Sequence, residues 1–218
     1  GVRKEFDTAK VNYEAILTAQ EDFVAEQDYY TMLSEPAEVG ESFVNLSVWD
    51  ETDDYFEALD DLSGTPEEAA YNDARTVNFT TMMRQIEGPS LDLQTLATGD
   101  QVMEVVVRTP TGTKAELNVL RKAYIAAVMQ EPGVVASYEF TVLGDNPDYL
   151  SVGIIVYENS TSHEAVINGL NNTAVAEAYF DAFNVVIGQA ANLHEPMSLA
   201  TNGIDVEPVV YPEDVLQI

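Results

Sequence analysis

The chain of 218 residues carries one pattern twice, and this repeat constrains its fold more than any single motif does. Trp49 and Tyr157 each follow a valine at the end of a strand-like run, and they lie 108 positions apart (157 − 49). The same spacing relates further pairs without a gap from residue 11 to residue 77, among them Tyr30 with Tyr138, Leu62 with Leu170, and Tyr71 with Tyr179. Because domains of about 100 residues are common, the repeat predicts two units that share one order of elements.

The hydrophobic spacing predicts matching elements in the two repeats. Apolar residues recur at three- and four-residue intervals in the predicted helices, which are 3–27, 53–62, 66–86, 114–130, 162–170 and 173–191. Alternating apolar and polar residues, or a high content of strand-forming residues, mark the predicted strands, which are 28–33, 42–49, 91–97, 134–143 and 149–157. Each unit is therefore expected to combine an antiparallel sheet with helices.

The order of the elements leaves the first repeat without a first strand, because the chain begins with a predicted helix. Two further strands are predicted, at Val102–Arg108 and near the C-terminus at 205–211. We expect Val102–Arg108 to serve the second unit as its first strand, and the C-terminal strand to return and complete the first unit. The predicted units are residues 1–100 and residues 101–218.

The composition disfavours several classes of partner. The chain has 38 acidic residues against 9 Lys and Arg, which gives a formal net charge of −29. Nucleic acids and anionic membrane surfaces both attract clustered Lys and Arg, so neither is an expected partner. There is no cysteine, and no apolar run approaches the roughly 18 residues of a membrane span. The chain starts at Gly1 rather than Met, which suits a periplasmic or secreted protein after removal of a signal peptide.

Motifs in the second repeat resemble a known protein family. Glu131–Gly133 (Glu-Pro-Gly) ends a predicted helix, Tyr138 and Glu139 form a pair on the next strand, and Tyr157 ends the third strand before a short helix. This combination resembles the antibiotic-biosynthesis-monooxygenase-like branch of the dimeric α/β-barrel proteins. The first repeat keeps the Val48–Asp50 strand ending but lacks the Glu-Pro-Gly turn.

The resemblance implies an α+β fold made of two tandem ferredoxin-like repeats, each an antiparallel sheet with helices on one face. Such a sheet leaves its other face to be buried against a partner. In this chain the two sheets are expected to face each other and form an intrachain dimeric α/β-barrel-like pseudo-dimer. The protein is accordingly expected to be either a monomeric pseudo-dimer or a homodimer.

The resemblance also implies a function. It indicates a small-molecule-binding protein of the monooxygenase-like family, whose enzymatic form would be a cofactor-independent oxygenase for an aromatic or apolar substrate. No cofactor is predicted. The alternative is a non-catalytic interaction or structural protein with a filled barrel interior, and fold alone does not choose between the two.

The candidate ligand-binding residues are aromatic or imidazole side chains at or near strand ends: Trp49, Tyr157, Tyr30, Tyr138 and His163. They are expected to border an apolar pocket between sheet and helices, and packing within the core is the competing interpretation. The chain has only two histidines, so a three-histidine zinc site is impossible. The acidic clusters lack the spacing of a calcium-binding loop. No metal site and no catalytic residue is predicted.

Overall fold

The computed structural model of the chain describes residues 2–20, 23–31, 43–77, 80–93, 96, 99–110, 113–143, 151–192, 200–201 and 215–217. Its helices are α1 (Val2–Leu17), α2 (Thr52–Leu62), α3 (Pro66–Asp73), α4 (Lys114–Val128), α5 (Ser160–Leu170) and α6 (Ala174–Ala182). Its strands are β1 (Phe23–Thr31), β2 (Phe43–Trp49), β3 (Met82–Glu87), β4 (Val102–Pro110), β5 (Val134–Val142), β6 (Ser151–Tyr157), β7 (Phe183–Asn192), β8 (Ala200–Thr201) and β9 (Val215–Gln217).

Three helices are shorter than their hydrophobic spacing predicted. α1 ends at Leu17, and β1 already begins at Phe23. α3 ends at Asp73, and the last part of that predicted helix is strand β3. α6 ends at Ala182 and is followed directly by β7. Pairing with neighbouring strands makes parts of these predicted helices into strands, because tertiary contacts override the weak local preference for helix. The strand predicted at 91–97 is not a strand at its described residues 91–93 and 96.

The strands form one antiparallel sheet that closes on itself. The order around the ring is β1–β2–β9–β3–β5–β6–β4–β7, and β7 pairs with β1 through Tyr30 with Asn192 and Thr31 with Ala191. The short strand β8 pairs with β1 further along, at Ala25 and Glu26. This closed sheet confirms the predicted fold, in which two antiparallel sheets in one chain form an α/β barrel.

Each half of the ring has the strand order of a ferredoxin-like unit. The order is β7–β4–β6–β5 in the second half and β3–β9–β2–β1 in the first. β9 thus has the place in the first unit that β4 has in the second. The strand predicted at 205–211 lies outside the described residues, and the strand found between β2 and β3 is Val215–Gln217. The division of the chain into units at residue 100 stays a prediction.

Alternate residues of the sheet point into different apolar layers. The barrel interior is lined by buried side chains from both halves, including Leu46, Met83, Met103, Phe140 and Ile154. On the outside, α4, α5 and α6 cover a second cluster that belongs to the second half, and α1 and α2 cover a third that belongs mainly to the first. The barrel interior is therefore shared, whereas each helix-covered face of the sheet (the helix face) belongs to one unit.

The strand register corrects the spacing between the two repeats. Phe23 pairs with Trp49 in the first unit, and Val134 pairs with Tyr157 in the second. The strand ends Trp49 and Tyr157 correspond at the predicted spacing of 108, but β1 and β5 correspond at 111 (134 − 23). The ungapped match is wrong over β1, because the first unit has three more residues (111 − 108) between the starts of its two paired strands.

This shift changes which residues are equivalent. Tyr138 pairs with Ile154 and Gln27 pairs with Leu46, so Tyr138 corresponds to Gln27 and not to Tyr30. The same shift carried into the preceding helix matches Tyr124 of α4 with Tyr13 of α1 (124 − 13 = 111). Each of these two tyrosines stacks on a tyrosine of its own unit, which supports the corrected correspondence.

Candidate functional site

Three side chains meet on the helix face of the second unit, at the end of β6. The Tyr157 hydroxyl donates a 2.9 Å hydrogen bond to Glu104 Oε2. Glu104 lies on β4, two residues beyond Val102, which is the cross-strand partner of Tyr157. His163 Nε2 lies 3.8 Å from the same Glu104 oxygen, and its ring packs edge-on against the Tyr157 ring with centroids 4.8 Å apart. We call Tyr157, Glu104 and His163 the strand-end cluster.

The local sequence around the start of α5 holds His163 in this position. The Asn159 side chain caps the helix by accepting a 2.9 Å hydrogen bond from the Ser162 backbone N–H. Gly133, in the Glu-Pro-Gly turn, has φ of 89° and accepts a hydrogen bond from the Glu158 backbone N–H. A Cβ on Gly133 would lie 2.6 Å from Ser162 Cβ, so this turn and the helix start pack together only because the residue is glycine.

Exposure differs within the strand-end cluster. Tyr157 is fully buried, whereas the side chains of Glu104 and His163 are each 20 % exposed. Burial, followed by the charge of Glu104, raises the pKa of Tyr157 far above its ordinary value. Tyr157 is therefore a fixed phenol donor at physiological pH. The cluster exposes part of one carboxylate and part of one imidazole, while the imidazole Nε2 that faces Glu104 is buried and has no hydrogen-bond partner in the described structure.

Further along the same helix face, two tyrosines stack between α4 and α6. The rings of Tyr124 and Tyr179 are nearly parallel, at 6°, with centroids 4.1 Å apart. Burial and then the charge of Glu104 raise the pKa of Tyr124 to about 12. The guanidinium carbon of Arg108 lies 5.4 Å from the centroid of the Tyr179 ring. The stack thus lies between the strand-end cluster and a buried arginine.

Arg108 forms an ion pair inside the protein. Its Nη1 donates a 3.1 Å hydrogen bond to Glu139 Oε2, and both side chains are only 1 % exposed. Burial lowers the pKa of Arg108, but Glu139 and the neighbouring Tyr179 outweigh burial and raise it overall. Burial also raises the pKa of Glu139, against the opposing effect of Arg108 and Arg121.

The other predicted site residues lie elsewhere in the fold. Trp49 is buried on the helix face of the first unit, where its ring packs edge-on against Phe23 and Tyr55 with centroids 5.3 and 5.6 Å apart. Tyr138 is buried in the barrel interior, on the opposite side of the sheet from Tyr157. Tyr30 belongs to β1, and its side chain is outside the described part of the structure. Within that part, the predicted residues that meet are Tyr157 and His163.

The residue that joins Tyr157 and His163 was missed from the sequence. Glu104 lies in the run Val-Met-Glu-Val-Val-Val at 102–107, and all the remaining residues of this run are apolar. A carboxylate inside an apolar strand is seldom buried without a partner, so it was a usable signal for a site. The partner itself lies 59 positions away (163 − 104), and nothing in the local spacing of either residue indicates it.

Neither a metal centre nor a membrane helix is found in the described residues. No three His, Asp or Glu side chains there are grouped so that they could hold a metal ion. None of the described helices is both long and apolar enough to cross a bilayer.

Solved structures share this fold, although no protein-family model and no curated protein matches the sequence. The crystal structure of an anthrone oxidase-like protein matches with a TM-score of 0.67 and 11% identity, over 95% of this chain and 91% of that chain. A proposed monooxygenase from Fusobacterium nucleatum matches with a TM-score of 0.50 and 10% identity, over 91% of this chain and 87% of that one. The chain thus shares the α/β-barrel fold of these two structures.

Proposed function

We propose that the protein binds a small aromatic molecule at the strand-end cluster of its second unit. The observation that carries this proposal is the convergence of Tyr157, Glu104 and His163 on one helix face, with the latter two partly open to solvent. The exposed parts of a carboxylate and an imidazole, held in place by the buried Tyr157, suit a ligand that has both a flat ring and an acidic hydroxyl. The fold shared with an anthrone oxidase-like protein supports the same ligand class.

The enzymatic form of the proposal is oxygenation of a phenol or quinol by O₂ without a cofactor. In this reaction Glu104 accepts a proton from the bound phenol, and the resulting anion adds O₂ at a ring carbon that bears a hydrogen. The hydroperoxide formed there loses water to give a quinone, so that one oxygen atom of O₂ enters the product and the other leaves as water. The phenol of Tyr157 orients the Glu104 carboxylate through the 2.9 Å hydrogen bond. His163 Nε2 lies 3.8 Å from the same oxygen, beyond direct hydrogen-bond distance, so a proton would pass between them through one bridging water. The Glu104 side chain is 20 % exposed, whereas the His163 Nε2 that faces it is buried, so exchange of the proton with solvent is assigned to Glu104.

The test is a panel of hydroxylated aromatics, scored by thermal unfolding for binding and by an oxygen electrode for turnover. We expect at least one compound to raise the unfolding temperature saturably, and Glu104→Gln to abolish any oxygen uptake. Glu164→Gln is the matched control, because it removes the same charge next to His163 but from an exposed side chain. Equal loss in both variants would show that charge in general, and not Glu104, is responsible.

A non-catalytic structural or interaction protein is the second candidate, and the barrel interior favours it. Apolar side chains from both halves occupy that interior, including Val105, Phe140 and Ile154, each no more than 2 % exposed. This packing supports a helix-face site over one inside the barrel. If no compound of the panel changes unfolding or consumes oxygen, the structural function is the better conclusion.

A further inference from the structure

The connection from β3 to β4 enters one mouth of the barrel. β3 ends at Glu87 and β4 begins at Val102, and β5 and β6 lie between these two strands in the ring. Leu93 and Leu96 of the connection are only 4 % and 2 % exposed, and both belong to the apolar cluster of the barrel interior. Because the sheet is closed, a segment outside it reaches the interior only at a mouth. The connection therefore passes over this mouth and places apolar side chains in it.

These side chains fill the mouth without belonging to the sheet. Residues 91–93 and 96 are not part of any strand, and Leu91 also packs against the interior cluster. The Leu96 backbone N–H donates a 3.0 Å hydrogen bond to the Asp92 carbonyl oxygen, within the connection itself. We call Leu91, Leu93 and Leu96 the mouth leucines. Apolar packing, which has no preferred direction, contributes to holding them in the mouth.

Gly99, just before β4, gives the connection a place to turn. Its φ is 60°, and a Cβ added to it would meet no atom within 4 Å. Glycine adopts this φ freely, whereas β-branched residues are strained there, so the backbone conformation at this point depends on glycine and not on packing. Dihedral changes at a few residues of this kind are enough to move a loop. Rotation at Gly99 would therefore withdraw the mouth leucines while the strands stay paired.

The interior cluster under the mouth leucines contains a phenol. Tyr138 of β5 is 8 % exposed, and the other buried members of the cluster are aliphatic, methionine or phenylalanine side chains. Burial, followed by the charge of Asp92, raises the pKa of Tyr138, so the phenol is neutral at physiological pH. The apolar lining disfavours any charged ligand. The interior therefore suits an uncharged apolar molecule that carries one hydrogen-bonding group.

We propose that the mouth leucines are a displaceable plug: the connection turns at Gly99, and an uncharged apolar molecule takes their place in the barrel interior beside the Tyr138 phenol. The interior is filled while the plug is in place, and the mouth leucines are among the side chains that fill it. Burial of the ligand replaces the burial that the leucines lose. This site lies on the opposite side of the sheet from the strand-end cluster, so it is independent of the aromatic ligand proposed there.

The experiment is a titration with N-phenyl-1-naphthylamine, an uncharged dye with one N–H group whose fluorescence rises in apolar surroundings. We expect the unchanged protein to bind this dye saturably, at one site per chain. Gly99→Val should lower the dissociation constant about fivefold or more, because the strain of valine at this φ disfavours the plugged conformation. This variant removes no interior side chain, so a gain in affinity does not arise from a cavity made by truncation.

Gly64→Val is the matched control. Gly64 lies between α2 and α3, has φ of 77°, and would also place a Cβ more than 4 Å from any atom. The strain of valine is therefore similar, but it acts far along the chain from the mouth leucines. The affinity for the dye should not change in this variant.

A third variant locates the dye. Tyr138→Phe removes the phenol and should raise the dissociation constant about threefold, the effect of one lost hydrogen bond. If Gly99→Val does not fold, Gly99→Ala imposes a milder strain at the same position and should lower the dissociation constant by a smaller factor. The proposal is overturned if neither the unchanged protein nor the folded Gly99 variant binds the dye saturably. It is also overturned if Gly64→Val gains as much affinity as Gly99→Val, or if Tyr138→Phe binds the dye as tightly as the unchanged protein.

Discussion

The helix faces of the two units have one common feature and one difference. In both units a buried tyrosine of the last helix, Tyr71 or Tyr179, stacks on a tyrosine of the first helix, Tyr13 or Tyr124. At the strand end, however, the first unit has Trp49 against Tyr55, with no imidazole or carboxylate in the pair, and the second has Tyr157 against His163 and Glu104. Both units thus share the stack, whereas among the described side chains at the two strand ends the imidazole and the carboxylate belong to the second unit.

The cations under the first helices differ in the same way. Lys10 of α1 is buried and pairs with Glu14, one turn further along its own helix. Arg121, at the equivalent position of α4, instead reaches across to Glu87 of β3 and Glu139 of β5. An ion pair within one helix does not fix that helix on the sheet, but an ion pair between a helix and a strand does. Among the ion pairs between described residues, Arg121 of α4 joins its helix to the sheet, whereas the Lys10–Glu14 pair lies within α1.

The largest expected effect on stability is the difference between replacing Arg108, which lies beside Tyr179, and replacing Arg75, which lies beside Tyr71. Arg108→Met should lower the free energy of unfolding by about 3–5 kcal/mol, because it leaves Glu139 buried without its main partner. Arg75→Met, which removes the cation 3.9 Å from the Tyr71 ring, should cost at most about 1 kcal/mol. Urea unfolding of both variants measures the difference. Similar losses would show that the first unit depends on its arginine as strongly as the second does.

A smaller loss of stability is expected at Gly153, which has no side chain and so leaves space for the ion pair of Arg108 and Glu139. A Cβ on Gly153 would lie 2.7 Å from both Arg108 Nη1 and Glu139 Oε1, so Gly153→Ala should cost about 1–3 kcal/mol through overpacking. Gly169→Ala is the control, since its Cβ would meet only Glu131 Oε2 at 3.9 Å and alanine favours the helix. The unfolding temperature should be lower for Gly153→Ala than for the unchanged protein, and it should not be lower for Gly169→Ala. A well-folded Gly153→Ala protein with unchanged stability would contradict the packing of Arg108 over this glycine.

The smallest expected effect on stability concerns the stacked tyrosines that both units contain, through Tyr13 in the first and Tyr124 in the second. The pKa of Tyr13 and that of Tyr124 are both raised from 10.0 to about 12, in each case chiefly by burial and then by a nearby glutamate. These phenols ionise first in the unfolded chain, so they contribute no pH dependence at neutral pH and reduce stability as the pH rises from 10 to 12. Tyr13→Phe and Tyr124→Phe should each make this alkaline loss of stability shallower, and by similar amounts. Unequal effects would show that the two stacks are not equivalent.

Several features of the fold could be predicted from particular residues. The alternation that ends in Trp49 predicts β2 with one buried face, and the strand-forming run that ends in Tyr157 predicts β6. Both strands end at these residues, and β6 is buried along its whole length. The Glu-Pro-Gly turn at 131–133 correctly marks the passage from α4 to β5. The predictions failed at the boundaries of α1, α3 and α6, because apolar spacing compatible with a helix ran on into segments that pair as strands.

The candidate site was only half predictable. Tyr157 and His163 are conspicuous in sequence because each is a rare or large side chain next to an element boundary, and they do meet. Glu104 was missed because its importance arises from the pairing of β4 with β6, which brings it to Tyr157 over 53 positions of the chain. The buried ion pair of Arg108 and Glu139 was missed for the same reason, since the two residues lie 31 positions apart.

The sequence by itself determined the α+β class, the order of most elements and the strongly acidic character of this protein. Local spacing encodes the fold class and the order of elements, because burial on one face repeats every two residues in a strand and every three or four in a helix. The composition gives the acidic character. Only the tertiary structure decided that Val215–Gln217 is the strand between β2 and β3, that Tyr138 faces the barrel interior while Tyr157 faces the helices, and that Arg108 meets Glu139. These outcomes depend on strand register and on partners distant in the chain, and a shift of one residue in register would exchange the two faces of a strand.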